Sequence, residues 1–212
     1  MVTITIDGKQ ISVDENLSIL EAAQEADVKI PTLCYLKDVN EVGACKMCVV
    51  EVEGSRHLVT SCNTKVKAGM VVNTHSERVV NSRKQVLNML LANHDVRCFS
   101  CDCRLQDLSN EYGITKSCYP GSAAKFEAKK ENPFLTYYPE LCINCQRCVS
   151  TCNKVSCNGT LHNSKIGTRT LIDAPFGPDW KETDCESCGN CAQACPTGAL
   201  TIKRRKNYRA WE

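Results

Sequence analysis

Apolar and polar residues alternate in two short stretches at the start of the chain, Val2–Asp7 and Gln10–Val13. Because successive side chains of a strand point to opposite faces, this period of two predicts two strands. Asp7, Gly8 and Lys9 join them, and an Asp-Gly pair between alternating stretches indicates a tight turn. The chain is therefore predicted to begin with a β-hairpin.

The pattern changes to helical spacing between Leu17 and Ala26. Ser18 and Glu21 have the spacing of a capping box, which predicts the start of the helix. Pro31 is predicted to end it, because proline has no amide hydrogen to continue a helix. Three further stretches predict strands and, with the hairpin, a small mixed sheet carrying one helix: Val49–Glu53, His57–Ser61 and Met70–Thr74.

A longer helix is predicted after this sheet. Thr74 and Glu77 have the spacing of a second capping box. Apolar residues then recur at helical spacing as far as Asn93 and His94: Val79, Val80, Val86, Leu87, Leu90 and Leu91. We expect this helix to connect the sheet domain to the segment that follows.

Weaker patterns cover the rest of the chain. Residues 117–139 combine Pro, Gly, Ala and Lys and predict a surface loop. Residues 168–173 predict a strand, paired in a hairpin with residues 158–162. The basic tail, residues 203–212, predicts a solvated face, and docking on an acidic partner is the alternative.

Cysteine is what the composition adds to this picture. The 212 residues include 17 cysteines but 4 phenylalanines and 2 tryptophans, so we expect bound metal to stabilise much of the chain. An odd number of cysteines without a signal peptide argues against a secreted disulfide framework and for a reducing cytoplasm. No apolar run has the length of a membrane span. The formal net charge of +2 gives no general case for nucleic acid binding.

Two cysteine runs near the C-terminus carry the strongest motif, because both have the spacing C-x2-C-x2-C-x3-C. In bacterial two-cluster ferredoxins, the fourth cysteine of such a run binds the other cluster. We therefore expect two 4Fe-4S clusters, one on Cys142, Cys145, Cys148 and Cys195, the other on Cys185, Cys188, Cys191 and Cys152. Structural zinc is the alternative, although a zinc site rarely takes three ligands from seven residues.

Four cysteines of the sheet domain follow the pattern C-x10-C-x2-C-x13-C: Cys34, Cys45, Cys48 and Cys62. Four thiolates on a strand-rich domain fit a 2Fe-2S cluster of the plant ferredoxin kind, although the first gap is longer than in that motif. A zinc loop is the alternative, and the order of strands and helix disfavours it.

A histidine begins the remaining set, H-x3-C-x2-C-x-C, formed by His94, Cys98, Cys101 and Cys103. An isolated histidine more often lies on the surface or caps an element, and we assign that role to His57, His75 and His162. His94 differs because three cysteines follow within nine residues, which predicts a further 4Fe-4S cluster. A neutral imidazole in place of a thiolate is expected to raise its reduction potential.

Taken in order, and with Leu105-Gln106-Asp107-Leu108 after the histidine-led site, these motifs resemble a known region. It is the N-terminal iron–sulfur region of the complex I large peripheral subunit, the multi-cluster iron-only hydrogenases and some NAD-dependent formate dehydrogenases. The resemblance covers about Val2 to Ile202. It implies an α+β protein that begins with a β-grasp 2Fe-2S ferredoxin-like domain (1–76). A helix plus His-ligated 4Fe-4S segment (77–118) follows. A bacterial-type two-cluster 4Fe-4S ferredoxin-like domain (119–202) and the basic tail (203–212) complete the chain.

The resemblance implies the same ligand sets, with one departure. A single residue separates Cys101 from Cys103, and the family has a longer spacing there. Cys103 remains the predicted ligand because the Leu-Gln-Asp-Leu segment follows it at the family's distance, and Cys118 is the alternative. One 2Fe-2S and three 4Fe-4S clusters then leave Cys118 and Cys157 unassigned.

By this resemblance we expect a non-catalytic electron-transfer subunit of a cytoplasmic, hetero-oligomeric oxidoreductase. The family proteins continue into a catalytic domain, whereas this sequence ends at Glu212, and it has no dinucleotide-binding glycine motif or P-loop. We expect single electrons to pass between a flavin subunit that oxidises NAD(P)H and another redox partner such as ferredoxin, and an electron-bifurcating complex is one form of such an assembly.

Two alternatives stay open. The chain is then either the small subunit of a hydrogenase or formate dehydrogenase whose active site lies on another chain, or a zinc-bound scaffold or thiol redox sensor. The second alternative predicts a colourless protein that carries zinc instead of iron.

Overall fold

A five-stranded mixed sheet forms the N-terminal domain of the computed structural model, which describes residues 1–94, 103–121, 132–164, 170–174 and 179–203. Its strands are β1 (Val2–Ile6), β2 (Lys9–Val13), β3 (Val49–Val52), β4 (Val59–Thr60) and β5 (Val71–Asn73), in the order β2-β1-β5-β3-β4. All neighbours are antiparallel except β1 and β5. The predicted hairpin, the three later strands and the mixed sheet are confirmed.

The first helix, α1 (Ile19–Glu25), begins at the predicted capping box. The Ser18 Oγ accepts a hydrogen bond from the Glu21 amide at 3.2 Å, and the Glu21 carboxylate accepts one from the Ser18 amide at 2.8 Å. Two amides of the first turn, which lack partners within the helix, are satisfied in this way. The residues that α1 buries pack under the sheet.

The end of α1 differs from the prediction. The helix stops at Glu25, and Asp27 takes a left-handed conformation with φ 56°. The Val28 amide then donates to the Ala23 carbonyl at 2.8 Å, which closes the helix end. The prediction that Pro31 ends the helix is therefore wrong, because a local backbone turn ends it earlier.

The start of α2 (Glu77–Ala92) also differs, because its cap is Ser76. The Ser76 Oγ accepts a hydrogen bond from an amide of the first turn at 3.3 Å. Thr74 instead donates its amide and its hydroxyl to the Asp7 carboxylate, at 2.7 and 2.5 Å. The predicted capping box of Thr74 and Glu77 is wrong, because Thr74 fastens the end of β5 to the β1–β2 turn.

Helix α2 joins the sheet domain to α3 (Arg104–Glu111), as predicted for a connecting helix. Arg83 of α2 is fully buried between them. Its Nη2 donates to the Val49 carbonyl of β3 at 2.8 Å, and its Nη1 donates to the Tyr112 hydroxyl at 3.1 Å. The predicted helix end at Asn93 is confirmed.

Two small antiparallel sheets, two α-helices and two short 3-10 helices (Pro139–Leu141 and Trp180–Glu182) form the described C-terminal part. The strands and α-helices are β6 (Leu135–Tyr137), α4 (Arg147–Lys154), β7 (His162–Ser164), β8 (Leu171–Asp173), α5 (Asn190–Gln193) and β9 (Leu200–Ile202). Strand β6 pairs with β9 and β7 with β8, so the first and last strands close this part of the fold around α4 and α5.

Two predictions for this part need correction. The loop predicted over residues 117–139 is interrupted, because β6 lies inside it, and residues 122–131 lie outside the described ranges. The predicted hairpin between residues 158–162 and 168–173 exists, but its first strand starts at His162. Residues 204–212 of the basic tail also lie outside the described ranges. Among the described residues, none of the helices has the length and apolarity that crossing a bilayer requires.

The core contains cysteines at three places. Under the sheet, aliphatic side chains pack with Cys48 and Cys62. In the C-terminal part, Tyr137 stacks on Trp180 with ring centroids 5.7 Å apart, and the same cluster includes Cys148, Cys152 and Cys191. Between these two lies a third cluster, whose cysteines come from all three predicted domains: Cys34, Cys45, Cys103 and Cys145.

Replacing Ser18 with alanine is expected to lower the free energy of unfolding by about 1 kcal/mol, because α1 loses its side-chain cap. Denaturant unfolding of the metal-loaded chain, followed by circular dichroism, measures this. Ser12→Ala, at an exposed position of β2, is the matched control and is expected to change the value by less than about 0.5 kcal/mol. Equal effects of the two substitutions would contradict the capping role.

Candidate metal centres

The four cysteines predicted in the sheet domain come together. Cys34, Cys45, Cys48 and Cys62 are all buried, and the Cys48 and Cys62 sulfurs lie 3.3 Å apart. The hydrogen bond between the Cys34 and Cys45 sulfurs lowers the pKa of Cys45 to about 6, and the one between the Cys48 and Cys62 sulfurs lowers the pKa of Cys48 to about 7. The same bonds raise the pKa of Cys34 and Cys62. The arrangement therefore favours the thiolate, the form of cysteine that binds metal, at Cys45 and Cys48.

A second group of four thiols lines one pocket in the C-terminal part: Cys142, Cys145, Cys148 and Cys195. Burial, together with the nearby charges of Cys195 and Cys142, raises the pKa of Cys145 to about 12. Tyr137 also lines this cavity, and its hydroxyl donates a hydrogen bond to the Cys142 sulfur. The last cysteine of the second run thus lies with three cysteines of the first.

The other four thiols of the two runs line a separate pocket: Cys152, Cys185, Cys188 and Cys191. Burial, together with the charge of Cys152 from the first run, raises the pKa of Cys191 to about 12. The Ser156 Oγ lies 3.3 Å from the Cys188 sulfur, and the Asn132 amide lies 3.8 Å from the Cys185 sulfur. The structure brings together the two crossed sets that the spacing predicts.

The local conformation explains the crossing. Cys148 and Cys152 lie four residues apart on α4, so both side chains are on one face of the helix but one turn apart, and each lines a different cavity. Left-handed residues open the turns before α4 and α5 at corresponding positions of the two runs: Asn144 and Gln146, Ser187 and Gly189. This repeated turn directs three thiols of each run towards one cavity.

The histidine-led set is described only in part, because Cys98 and Cys101 lie outside the described ranges. His94 is buried, and its Nε2 lies 3.6 Å from the Cys103 sulfur. Cys118, the alternative ligand, is exposed. Cys103 directly precedes α3, and the next amide, of Arg104, donates to the Pro196 carbonyl at 2.9 Å. This contact holds the segment against the second cysteine run.

Among the described residues, no three His, Cys, Asp or Glu side chains are arranged to hold a metal ion. The two sets of the C-terminal part border cavities instead, each with four thiols on its wall. A donor set of four soft thiolates around an apolar cavity fits an iron–sulfur cluster, which places several irons and sulfides inside such a space.

The remaining histidines and cysteines are on the surface. His57, His75 and His162 are exposed, as predicted. Cys118 and Cys157, which the ligand count leaves unassigned, are exposed as well.

Sequence reasoning missed the polar side chains around the thiols. Tyr137, Ser156 and Asn132 contact ligand sulfurs, but they come from residues with weak patterns, so the sequence carried no signal for them. Asn40 was also missed, although it is fully buried between two thiol sets. Its location in the unusually long gap between Cys34 and Cys45 was a signal that could have identified it.

Three family models match consecutive regions of the chain. A 2Fe-2S iron–sulfur cluster binding domain matches residues 1–77, and an NADH-ubiquinone oxidoreductase-G iron–sulfur binding region matches residues 83–117. The ferredoxin-like domain of NADH-quinone oxidoreductase subunit 3 matches residues 132–201. Iron–sulfur domains of mixed α and β content are therefore confirmed.

Curated relatives share the same region. The NADP-reducing hydrogenase subunit HndD of Solidesulfovibrio fructosivorans is 42% identical over 94% of this chain and 36% of its own length. The NADPH-Fe(3+) oxidoreductase subunit alpha of Geobacter sulfurreducens is 39% identical over 96% of this chain and 24% of its own length. The chain thus spans about a third or less of these relatives.

A solved structure has the same fold over nearly the whole chain. It is a chain of an NAD+-reducing [NiFe]-hydrogenase in the H2-reduced state, with a TM-score of 0.87 and 29% identity. The match covers 95% of this chain and 87% of that one. With the family models and the relatives, it confirms the resemblance drawn from the cysteine motifs.

Brief alkylation of the iron-loaded chain is expected to modify Cys118 and Cys157 and to spare Cys188, although all three are exposed. Cys188 belongs to a thiol set, and a thiolate bound to metal is not available as a nucleophile. Mass spectrometry of the digested chain measures the modification, and the control is the same reaction after iron removal, when Cys188 is expected to react. Equal labelling of Cys188 before and after iron removal would contradict this assignment.

Proposed function

We propose that this chain, built from the three iron–sulfur regions that NADH-quinone oxidoreductase and its hydrogenase relatives share, is the electron-transfer iron–sulfur subunit of a multi-subunit oxidoreductase. The observation that carries the proposal is the grouping of thiols from distant parts of the sequence into separate four-cysteine sets. When bound, iron–sulfur clusters supply one-electron chemistry without a change in the protein's covalent structure.

The proposed ligands are the sets predicted from the sequence. Cys34, Cys45, Cys48 and Cys62 would hold one 2Fe-2S cluster. The other three sets would each hold a 4Fe-4S cluster: Cys142, Cys145, Cys148 and Cys195; Cys185, Cys188, Cys191 and Cys152; and His94, Cys98, Cys101 and Cys103. The contact between His94 and Cys103 supports Cys103 over the exposed Cys118 as the last ligand.

The protein's own contribution is to bury the thiols and to adjust their surroundings. Hydrogen bonds to ligand sulfurs raise the reduction potential of a cluster, since they stabilise the more negative reduced state. Tyr137 would act in this way on one cavity of the C-terminal part, and Ser156 and Asn132 on the other. Different polar neighbours would therefore give the clusters in the two cavities different reduction potentials.

The geometry also supports a continuous relay. One apolar cluster contains Cys34 and Cys45 of the sheet domain, Cys103 of the histidine-led segment and Cys145 of the first run. Three of the four proposed clusters would thus share one dry interior, where single electrons pass without exposure to water. Cys148 and Cys152 on α4 extend this path to the fourth.

The proposed partner is a flavin subunit that oxidises NAD(P)H, with ferredoxin or a catalytic subunit as the second redox partner. The relatives support this choice, because their names are those of an NADP-reducing hydrogenase and an NADPH-Fe(3+) oxidoreductase. A reducing cytoplasm is the proposed location, because every described cysteine is a free thiol and the proposed ligands must stay so to bind iron.

A second candidate is the small subunit of a hydrogenase whose active site lies on another chain. The observation that favours it is the 42% identity with a hydrogenase subunit, together with the fold shared with a hydrogenase chain. Both candidates assign the same relay to this chain and differ only in the partner, so mass spectrometry of the native complex separates them.

Anaerobically prepared protein is expected to be brown and to contain about fourteen irons per chain, from one 2Fe-2S and three 4Fe-4S clusters. The isolated chain is expected to show no reduction by NADPH or NADH and to become reduced once the flavin subunit is added, because it relays electrons without a nicotinamide site. Iron analysis and visible absorption measure both steps. A colourless chain that carries zinc would overturn the proposal in favour of a scaffold or thiol sensor.

Cys195→Ala and Cys142→Ala are expected to remove the same cluster, about four irons, because both thiols line one cavity. The double variant should lose no more iron than either single variant. Cys152→Ala is expected to behave like Cys185→Ala for the same reason. Iron content and electron paramagnetic resonance (EPR) spectra of the reduced variants measure this. Cys157→Ala is the matched control and should keep all iron.

If Cys195→Ala instead gave the same spectrum as Cys185→Ala, each run would hold its own cluster. The crossed assignment would then be wrong.

A further inference from the structure

Asn40 occupies an unusual place between two of the thiol sets. It lies in the long gap between Cys34 and Cys45, and its side chain is fully buried. Its Nδ2 donates to the Cys34 carbonyl at 2.7 Å and to the Cys145 carbonyl at 3.1 Å. One amide group therefore bridges the backbone of a cysteine from the sheet domain and the backbone of a cysteine from the first C-terminal run.

The other end of the side chain is also held. The Asn40 Oδ1 accepts a hydrogen bond from the Ser150 hydroxyl on α4 at 2.6 Å. The backbone of Asn40 exchanges two hydrogen bonds with Leu36, at 2.8 and 3.0 Å. Asn40 thus uses both amide hydrogens and the amide oxygen on groups fixed by the fold. A side chain of the same size without both donors and an acceptor cannot make these three bonds.

Neighbouring contacts join the same two loops. The Arg147 Nη1 at the start of α4 lies 3.5 Å from the Leu33 carbonyl, next to Cys34 in the sequence. Leu33 and Cys34 pack with Cys145 in one apolar cluster. The two ligand loops therefore meet in a dry interface, in which the Asn40 amide is a short polar connection between their backbones.

We propose that Asn40 is a positioning residue that sets the rate of electron exchange between the 2Fe-2S cluster of the Cys34 set and the 4Fe-4S cluster of the Cys145 set. The inference rests on the proposed function. Asn40 holds the two loops at a fixed separation and supplies a hydrogen-bonded route from one cysteine carbonyl to the other. One cluster is oxidised by one electron and the other is reduced by it, so no bond is made or broken and no proton is transferred.

The test compares variants of the complete iron-loaded chain. Asn40→Leu keeps the approximate volume and removes all three bonds. Asn40→Asp keeps an oxygen for Ser150 and replaces the group that donates to both carbonyls. Ser150→Ala is the matched control, because it removes the bond at the other end of Asn40 and leaves the bridge between Cys34 and Cys145 intact.

Three measurements are made on each variant: iron content, the magnetic interaction between the two reduced clusters in the EPR spectrum, and the rate of internal electron transfer after fast photoreduction. We expect Asn40→Leu and Asn40→Asp to slow internal transfer by about tenfold, the lower end of the effects of outer partners at metal sites. The spin interaction should weaken in both, and Ser150→Ala should stay near the wild type.

The outcomes separate the inference from the function on which it rests. Wild-type protein without iron–sulfur clusters would end the proposed function itself. Full iron content with unchanged transfer and unchanged spin interaction in either Asn40 variant would overturn the role of Asn40 and leave the proposed function standing. A merely structural role would lower the melting temperature without changing transfer in the iron-loaded molecules, and this result would also overturn the inference.

Discussion

Convergence of thiols from distant parts of the chain on small buried spaces is the constraint on which the rest of this structure depends. Cys195 reaches the cavity of Cys142, and Cys152 reaches that of Cys185, so neither C-terminal run can complete its site alone. Burial raises the pKa of Cys145 and Cys191, so a bound metal would stabilise their thiolate forms. The free energy of metal binding would therefore contribute directly to the free energy of folding of this part.

The same constraint shapes the junction between the domains. A sheet domain, a helical connection and a two-cavity domain could each fold around a separate core, yet the middle apolar cluster takes cysteines from all three. Arg83 fastens the connecting helix to the sheet, and the Arg104 amide fastens the histidine-led segment to the second run. Burial of these shared contacts holds the three parts of the chain against one another.

Two of the errors in the sequence predictions occurred where a local signal competed with a distant partner. Thr74 has the spacing of a helix cap, but the Asp7 carboxylate of the hairpin turn takes its hydrogen bonds and leaves the cap to Ser76. Strand β6 lies in a segment without clear alternation, because its pairing with β9 comes from the other end of the domain. A local pattern carries no information about a partner that is distant in sequence, here the Asp7 carboxylate and strand β9. Tertiary contacts with such partners override the local preference.

The sequence by itself determined the hairpin and the two helical segments that follow it, and it predicted the crossed grouping of the two C-terminal cysteine runs, because cysteine spacing and side-chain period are local properties of the chain. Only the tertiary structure decided which sets are neighbours, since Asn40 and Cys145 are far apart in sequence and meet only after folding. It also decided that Cys103 lies beside His94 while Cys118 faces solvent. Burial and distance between remote residues are set by packing, and no short stretch of sequence records them.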